Sequence, residues 1–231
     1  MLVSLTIIRY KKRYIPFAFL AMAVHRIPLL LTKKCSFWKL LGSGRNGTFD
    51  LMPDFCQWGL LAAWDDRQAF ESFLSGSLIV KWWRSFGAEY YTILCKPVSS
   101  NGKWDGREPF TNDDGTVLNG PVAVLTRATI RPTRLKNFWK NVDSVAGLMS
   151  SSDGYITSFG IGEAPVYLQA TFSLWEDLDS VKKFAYRSRE HAAVIQKTRE
   201  ENWYSEELFA RFKPIATFGT LKGNDPLKGR I

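Results

Sequence analysis

Two histidines and three cysteines are all that the chain offers toward metal or redox chemistry. His25 and His191 are too few for a site built on several imidazoles, although a cofactor needing one protein ligand remains available. Cys35, Cys56 and Cys95 form no CxxC, which excludes zinc ribbons, thioredoxin-type redox pairs and CxxCH haem attachment. Their wide spacing predicts free thiols in a reducing compartment. No apolar run reaches the roughly 20 uninterrupted residues of a spanning helix. The nearest approach, Ile15–Leu31, is interrupted by His25–Arg26 and Pro28. It follows Lys11–Lys12–Arg13 and contains Ala21-Met22-Ala23, which mimics a signal-peptidase site. The strand-like Val3–Ile8 ahead of the basic cluster is the wrong leader for a signal, so a buried helix is expected there. No RRM-type aromatic signature or helix-turn-helix pattern is present, so nucleic acid is not an expected partner. No Ser/His/Asp triad or pair of catalytic carboxylates can be assembled.

What is present reads as an ordinary globular chain, with 45% apolar and 23% charged residues. Its length allows one large domain or two small ones. Nine Trp and sixteen Phe must fill a core or line a cavity. A net charge of +9 favours anionic partners.

An internal repeat organises the sequence. Asp54–Asp66 runs from a strand-like stretch through Trp64 into a helix start, and Val166–Asp177 repeats the design around Trp175. Leu41-Gly42-Ser43-Gly44 is answered by Phe159-Gly160-Ile161-Gly162. Strand and helix precede each glycine pair: Val3–Arg9 with Ile15–Leu31, and Val122–Ile130 with a helix starting near Pro132. Leu135, Phe138, Trp139, Val142, Ala146 and Met149 form one apolar stripe on that second helix. Tyr90–Cys95 and Ile215–Phe218 supply the last strands. Each half thus reads βαββαβ, the ferredoxin-like unit. The expected boundaries are residues 1–97, a turn-rich linker over 98–120, residues 121–219, and a tail over 220–231. The expected fold is α+β: two tandem ferredoxin-like repeats packed sheet to sheet as an intrachain α+β barrel with a cavity between the sheets. Val166, Leu168, Ala170, Phe172 and Leu174 are expected to pack on helices, leaving Tyr167, Gln169, Thr171 and Ser173 to line the cavity.

Gly42-Ser43-Gly44-Arg45-Asn46-Gly47 satisfies G-x-G-x-x-G literally, yet Thr48–Pro53 shows no helix opening at the third glycine. It reads as a tight strand connection, not a dinucleotide site. His191 shares a helical face with Val194, Ile195 and Thr198, as either a core histidine or an axial haem ligand. His25 competes for that role but neighbours Arg26 and lies near Lys33–Lys34. Arg127 shares a strand face with Leu125 and Thr129. A guanidinium pointing into the cavity needs an anion such as a haem propionate; otherwise Arg127 pairs with a neighbouring carboxylate or sits at an edge in solvent.

Together, several stretches resemble the spheroidene monooxygenases, haem-containing carotenoid oxygenases of the dimeric α+β barrel superfamily. The matching residues are Phe37–Gly44, Trp58–Trp64, Arg127–Pro132, Gly160–Pro165, Thr171–Trp175 and Trp203–Phe212. The resemblance spans nearly the whole chain, to about Phe218. It implies oxygen insertion at the end of a long polyene, using dioxygen, haem b and its iron, and electrons from a ferredoxin-like donor. His191 opens the helix segment His-Ala-x-x-Ile that matches the family's histidine, which makes it the expected iron ligand, with Arg127 as a propionate or cavity anchor. The alternative is a cofactor-free or non-catalytic α+β-barrel protein binding a small apolar ligand. A carotenoid resides in the bilayer, so a cytoplasmic protein in peripheral contact with the inner membrane face is expected, through basic pairs such as Lys11–Lys12, Lys33–Lys34 and Lys182–Lys183.

Overall fold

Both halves leave their first strand the same way, through a 3-10 turn, Lys12–Tyr14 in one and Pro132–Arg134 in the other, which feeds a helix. Pro132 suits the second turn because its missing N–H has no partner there in any case. The computed structural model describes residues 1–45, 52–113, 115–164, 166–187, 197–198 and 200–231. The first half comprises β1 (Leu2–Tyr10), α1 (Ile15–Val24), α2 (Arg26–Leu31), β2 (Cys35–Gly44), β3 (Pro53–Trp64), α3 (Arg67–Gly76), α4 (Leu78–Phe86) and β4 (Gly87–Gly102). The second comprises β5 (Val122–Ile130), α5 (Leu135–Ser150), β6 (Tyr155–Ala164), β7 (Leu168–Trp175), α6 (Leu178–Arg187) and β8 (Tyr204–Gly219). The last strand of each half is longer than its apolar centre predicts.

The eight strands close into one barrel in the order β1-β3-β2-β6-β7-β5-β8-β4. Within each half the first strand lies between the third and the fourth, as the ferredoxin-like unit requires. The halves join along a long antiparallel seam, from Tyr91↔Gly219 to Gly102↔Leu208, and a short one, Gly42↔Gly162 and Ser43↔Ile161. Closure pairs β4 with β8 along most of their length and β2 with β6 at one end. The glycine pairs of the repeat meet at the short seam. A Cβ on Gly162 would come within 2.5 Å of the Leu168 carbonyl oxygen, so no side chain fits there.

The lumen is solid. Val3, Leu5, Ile7, Phe37, Leu41, Leu61, Ile93 and Cys95 interlock with Ala123, Leu125, Phe159, Ile161, Phe172, Leu174, Ala210 and Phe212, and Trp104, Phe110 and Leu227 close over them. This corrects the expected inter-sheet cavity and reverses its faces. Ala170, Phe172 and Leu174 fill the barrel, whereas Gln169, Thr171 and Ser173 face outward, toward the side on which α5 and α6 lie. Val166 precedes β7 with φ at +81° and belongs to neither face. The physical reason is size: an eight-stranded barrel is just wide enough for its own side chains.

Helices cover the outside. The Asp66 carboxylate accepts a hydrogen bond from the Ala69 N–H at 2.7 Å to start α3, and the Ser77 hydroxyl does the same for Val80 at the start of α4. The buried-helix expectation for Ile15–Leu31 is overturned. Only Ala18, Ala21, His25 and Leu29 are buried, while Phe19, Leu20, Ile27, Leu30 and Leu31 are 48–74% exposed. Small residues at the buried positions bring the helix close to β3 and leave its bulky apolar residues outside.

Candidate functional site

The two sheets differ on their outer faces. One row across the first sheet reads Thr92, Thr6, Leu60, Leu40. Thr6 and Thr92 satisfy each other through hydroxyls 2.8 Å apart, and Leu40 and Leu60 pack with Ala18, Leu29 and Trp83. The matching row of the second sheet reads Phe209, Thr126, Thr171, Gly160. The next row reads Ala128, Gln169 and Gly162, where the first sheet carries Ile8, Trp58 and Gly42. Gly160, Thr171, Gln169 and Ala128 are smaller than Leu40, Leu60, Trp58 and Ile8, their equivalents in the first half, whereas Thr126 and Gly162 match Thr6 and Gly42, and Phe209 is larger than Thr92. Larger clusters flank this trough: Ile130, Phe138, Trp139 and Trp203 at one end, Val122, Val124, Met149, Trp175 and Val181 at the other. Thr126 is exposed and Phe209 is 37% exposed, so this row meets solvent at β5 and β8, while Ala128, Gln169 and Thr171 are buried.

Arg211 follows Phe209 on the same outer face, paired in register with Val124. Its guanidinium lies 5.1 Å from the Phe209 ring centre, and its buried Nε has no hydrogen-bond partner among the described residues. An unsatisfied guanidinium donor on this face is suited to an anionic group.

His25 lies in the first half, 4% exposed between α1 and α2. Its ring stands edge-on to Trp82 and Trp83, at 5.6 and 6.4 Å between centres, and its Nε2 is buried without a hydrogen-bond partner. Burial lowers its pKa to about 4, which keeps the ring neutral. The space beside it, bounded by Tyr10, Ala21, Leu40, Trp58 and Trp83, is about 10 Å³. That holds a single water at most.

Arg127 lies on the lumen side of β5, opposite Thr126, and is 3% exposed. Its Nη1 donates to Glu206 Oε1 at 2.5 Å, Asp105 lies 3.9 Å away, and its guanidinium sits 5.3 Å over the Trp104 ring. Burial alone would raise the Glu206 carboxyl. The Gly106 and Asp105 amides and the Arg127 charge more than reverse this and hold it below the usual range. Lys39 pairs with Glu163 at 2.6 Å and with Asp105, and Glu163 accepts from the Trp104 indole at 2.6 Å. This network stoppers one end of the barrel, and of the Arg127 donors Nε is left unpartnered.

The structure therefore does not bring Arg127 and His25 together, and His191 lies outside the described residues. The trough and Arg211 were missed by reading motifs. Comparing the repeats position by position in register finds them, because Leu40 and Leu60 give way to Gly160 and Thr171. Among the described residues, no group of three or more His, Cys, Asp or Glu side chains could hold a metal ion.

The second half, residues 121–211, matches a family described as "Domain of unknown function (DUF3291)". The spheroidene monooxygenase of Cereibacter sphaeroides is 34% identical over 89% of this chain, which spans 64% of that relative's length. That of Rhodobacter capsulatus is 32% identical over 94% of this chain and 91% of its own. Among solved structures, an aldoxime dehydratase in complex with butyraldoxime superposes over 100% of this chain and 85% of its own, with a TM-score of 0.62 and 10% identity, a likeness of fold alone. The 32% identity with the Rhodobacter capsulatus relative, over nearly the whole of both chains, decides the family: the chain is a member of the spheroidene monooxygenase family.

Proposed function

We propose that the protein is a haem-dependent monooxygenase acting on a carotenoid or similar apolar polyene, and that the trough on the second sheet is where cofactor and substrate meet. Family membership carries the reading, and the thinned outer face supports it. Haem b does not fit the first half, where the space beside His25 is about 10 Å³. The second half suits it better, where Gly160, Thr171 and Ala128 replace Leu40, Leu60 and Ile8 on the outer face. His191 would hold the haem iron. Arg211, on the same outer face as Phe209 and with its buried Nε unpartnered among the described residues, would anchor a propionate. Arg127 offers only Nε beyond its ion pair and faces the lumen, so it ranks second for that role. When bound, the haem would activate dioxygen.

The chain's own residues supply shape and dryness. An elongated polyene can lie across Phe209, Thr126 and Thr171, with aromatic clusters at both ends excluding water from the reacting carbon. One oxygen atom enters the polyene and the other leaves as water, using electrons from a ferredoxin-like donor. The basic surface suits an acidic redox partner.

Protein purified from haem-replete cells should show a Soret band, lost in His191→Ala and retained in His25→Ala. In cells accumulating acyclic polyenes the parent should yield oxygenated product. No Soret band after reconstitution, with apolar ligands still bound, would instead make this a cofactor-free barrel for a small apolar ligand.

A further inference from the structure

We propose that the outer face of α1 and α2 docks the protein on the surface of an anionic lipid bilayer. The residues from Lys12 to Leu31 are long and apolar enough to cross a membrane, yet only 22% of that stretch is buried. Exposed Phe17, Leu20, Val24, Ile27 and Leu31 form a stripe at helical spacing, joined by Leu30 at 73% exposure. The patch continues onto β3 through Phe19, whose ring lies 5.5 Å from Phe55 and 5.0 Å from Trp58. A helix apolar on every side belongs in a core or in lipid, and this one is not in a core.

Geometry and charge choose the occupant. The helix cannot span, because it is tied at both ends: β1 and β2 both pair with β3, so it runs along the barrel wall. It can only lie flat at an interface. Both ends are basic and exposed, with Lys11, Lys12 and Arg13 at one and Lys33 and Lys34 at the other, and Arg26 between them. Lys34 is partly neutralised by Asp66 at 3.3 Å. No acidic residue precedes Asp50 in the chain. A second copy packed on this face in either direction would press like charges together, whereas a bilayer carrying anionic headgroups satisfies both the stripe and its flanks. An open basin of about 550 Å³, bounded by Thr32, Lys33, Lys34, Gln68 and Ser72, lies beside the end of α2 with room for a headgroup phosphate. This inference does not rest on the oxygenase reading, and its test involves no turnover.

The experiment is flotation of the full chain with vesicles of phosphatidylcholine alone or with 30% phosphatidylglycerol, alongside sedimentation velocity without lipid. The expected result is a monomer that floats with the anionic vesicles and is depleted from the floating fraction as salt is raised. Each basic residue near the surface should contribute about fivefold to partitioning. Leu30→Gln with Leu31→Gln should lower it by tenfold or more, since both side chains would leave the acyl boundary. Val117→Gln, at a position 64% exposed elsewhere, should bind like the parent. Should the double variant lose its fold by circular dichroism, Ile27→Gln, also 64% exposed, takes its place. The proposal is overturned if the protein stays at the bottom with both lipids, if it sediments as a dimer that the Gln variants dissociate, or if those variants float as well as the parent.

Discussion

Acid should destabilise this protein through one residue in the first half. His25 is held neutral by burial, with a pKa of about 4 against an ordinary 6.5. Its Nε2 finds no partner, and nearby Tyr10 is a neutral phenol that burial shifts further upward. The unfolded chain protonates this imidazole near pH 6.5, whereas the folded chain refuses the proton until about pH 4. The unfolded state therefore binds more protons between those values, and stability falls as pH drops through that window. A shift of this size corresponds to about 3 kcal/mol at roughly 1.4 kcal/mol per unit. His25→Leu removes the titration and the orphaned nitrogen together, so at pH 7 it should match or exceed the parent in stability. Urea denaturation followed by tryptophan fluorescence at intervals from pH 7.5 to 4 measures the gap. Asp66, Asp177, Glu206 and Asp225 are held below the usual carboxylate range and also lose stability in acid, but they do so in both proteins and cancel in the difference. The gap should widen in the variant's favour by about 3 kcal/mol on going to pH 4. Parallel profiles for parent and variant would refute the reasoning.

Three further substitutions test other parts of the structure. Thr171→Leu places in the second sheet what Leu60 supplies in the first. It should leave the melting temperature nearly unchanged while removing haem uptake, read as loss of the Soret band; undiminished uptake would move the site elsewhere. Gly162→Ala should lower stability by about 1–3 kcal/mol, since its Cβ meets backbone at 2.5 Å, whereas Gly42→Ala, with its nearest neighbour at 3.7 Å, should be close to neutral by thermal melting. Glu206→Gln strips Arg127 of its nearest charge partner and should cost about 3–5 kcal/mol in denaturant titration, with Arg127→Met in the same background recovering much of it. An unchanged midpoint in Glu206→Gln would mean that Asp105 and Trp104 suffice.

The architecture was legible because periodicity and duplication report on it directly. Trp64 and Trp175 end matched strands, and the glycine pairs mark the short seam. Motif alignment set Gly42 against Gly160, whereas the ladder sets it against Gly162, a slip by one full pleat that preserves the face. The direction of the faces was not legible. Apolar alternation along Leu168–Leu174 says that one side is buried, but lumen and helix layer are equally apolar destinations, and only closure of the barrel decides between them. For Arg127 the sequence leaves a bound anion, a carboxylate of the chain and a solvent edge open. Glu206 settles its nearest partner only once β8 lies beside β5. The exposure of Leu30 and Leu31 was invisible for a similar reason, since hydropathy cannot tell a core from a membrane surface.

Duplication explains how such a barrel can hold a site without hollowing its centre. The lumen needs side chains from both halves and loses packing energy wherever it is opened, at about 24 cal/mol per Å³ of residual void. An outer face borders only its own helices, so one half can be thinned without disturbing the other. In the first half Leu40, Leu60, Trp58 and Trp83 fill the layer, and the residual space beside His25 is about 10 Å³. In the second, Gly160, Thr171 and Gln169 take the equivalent positions, and Thr126 meets solvent where Thr6 is buried against Thr92. The filled half can hold the barrel rigid while the thinned half accepts a ligand. On this reasoning, mutations that enlarge the first half's outer layer, such as Leu60→Thr, should cost stability and create no new function, whereas mutations that fill the second should cost function and little stability. Paired melting and ligand-uptake measurements on Leu60→Thr and Thr171→Leu decide the matter, and equal behaviour of the two would remove the asymmetry on which the site assignment stands.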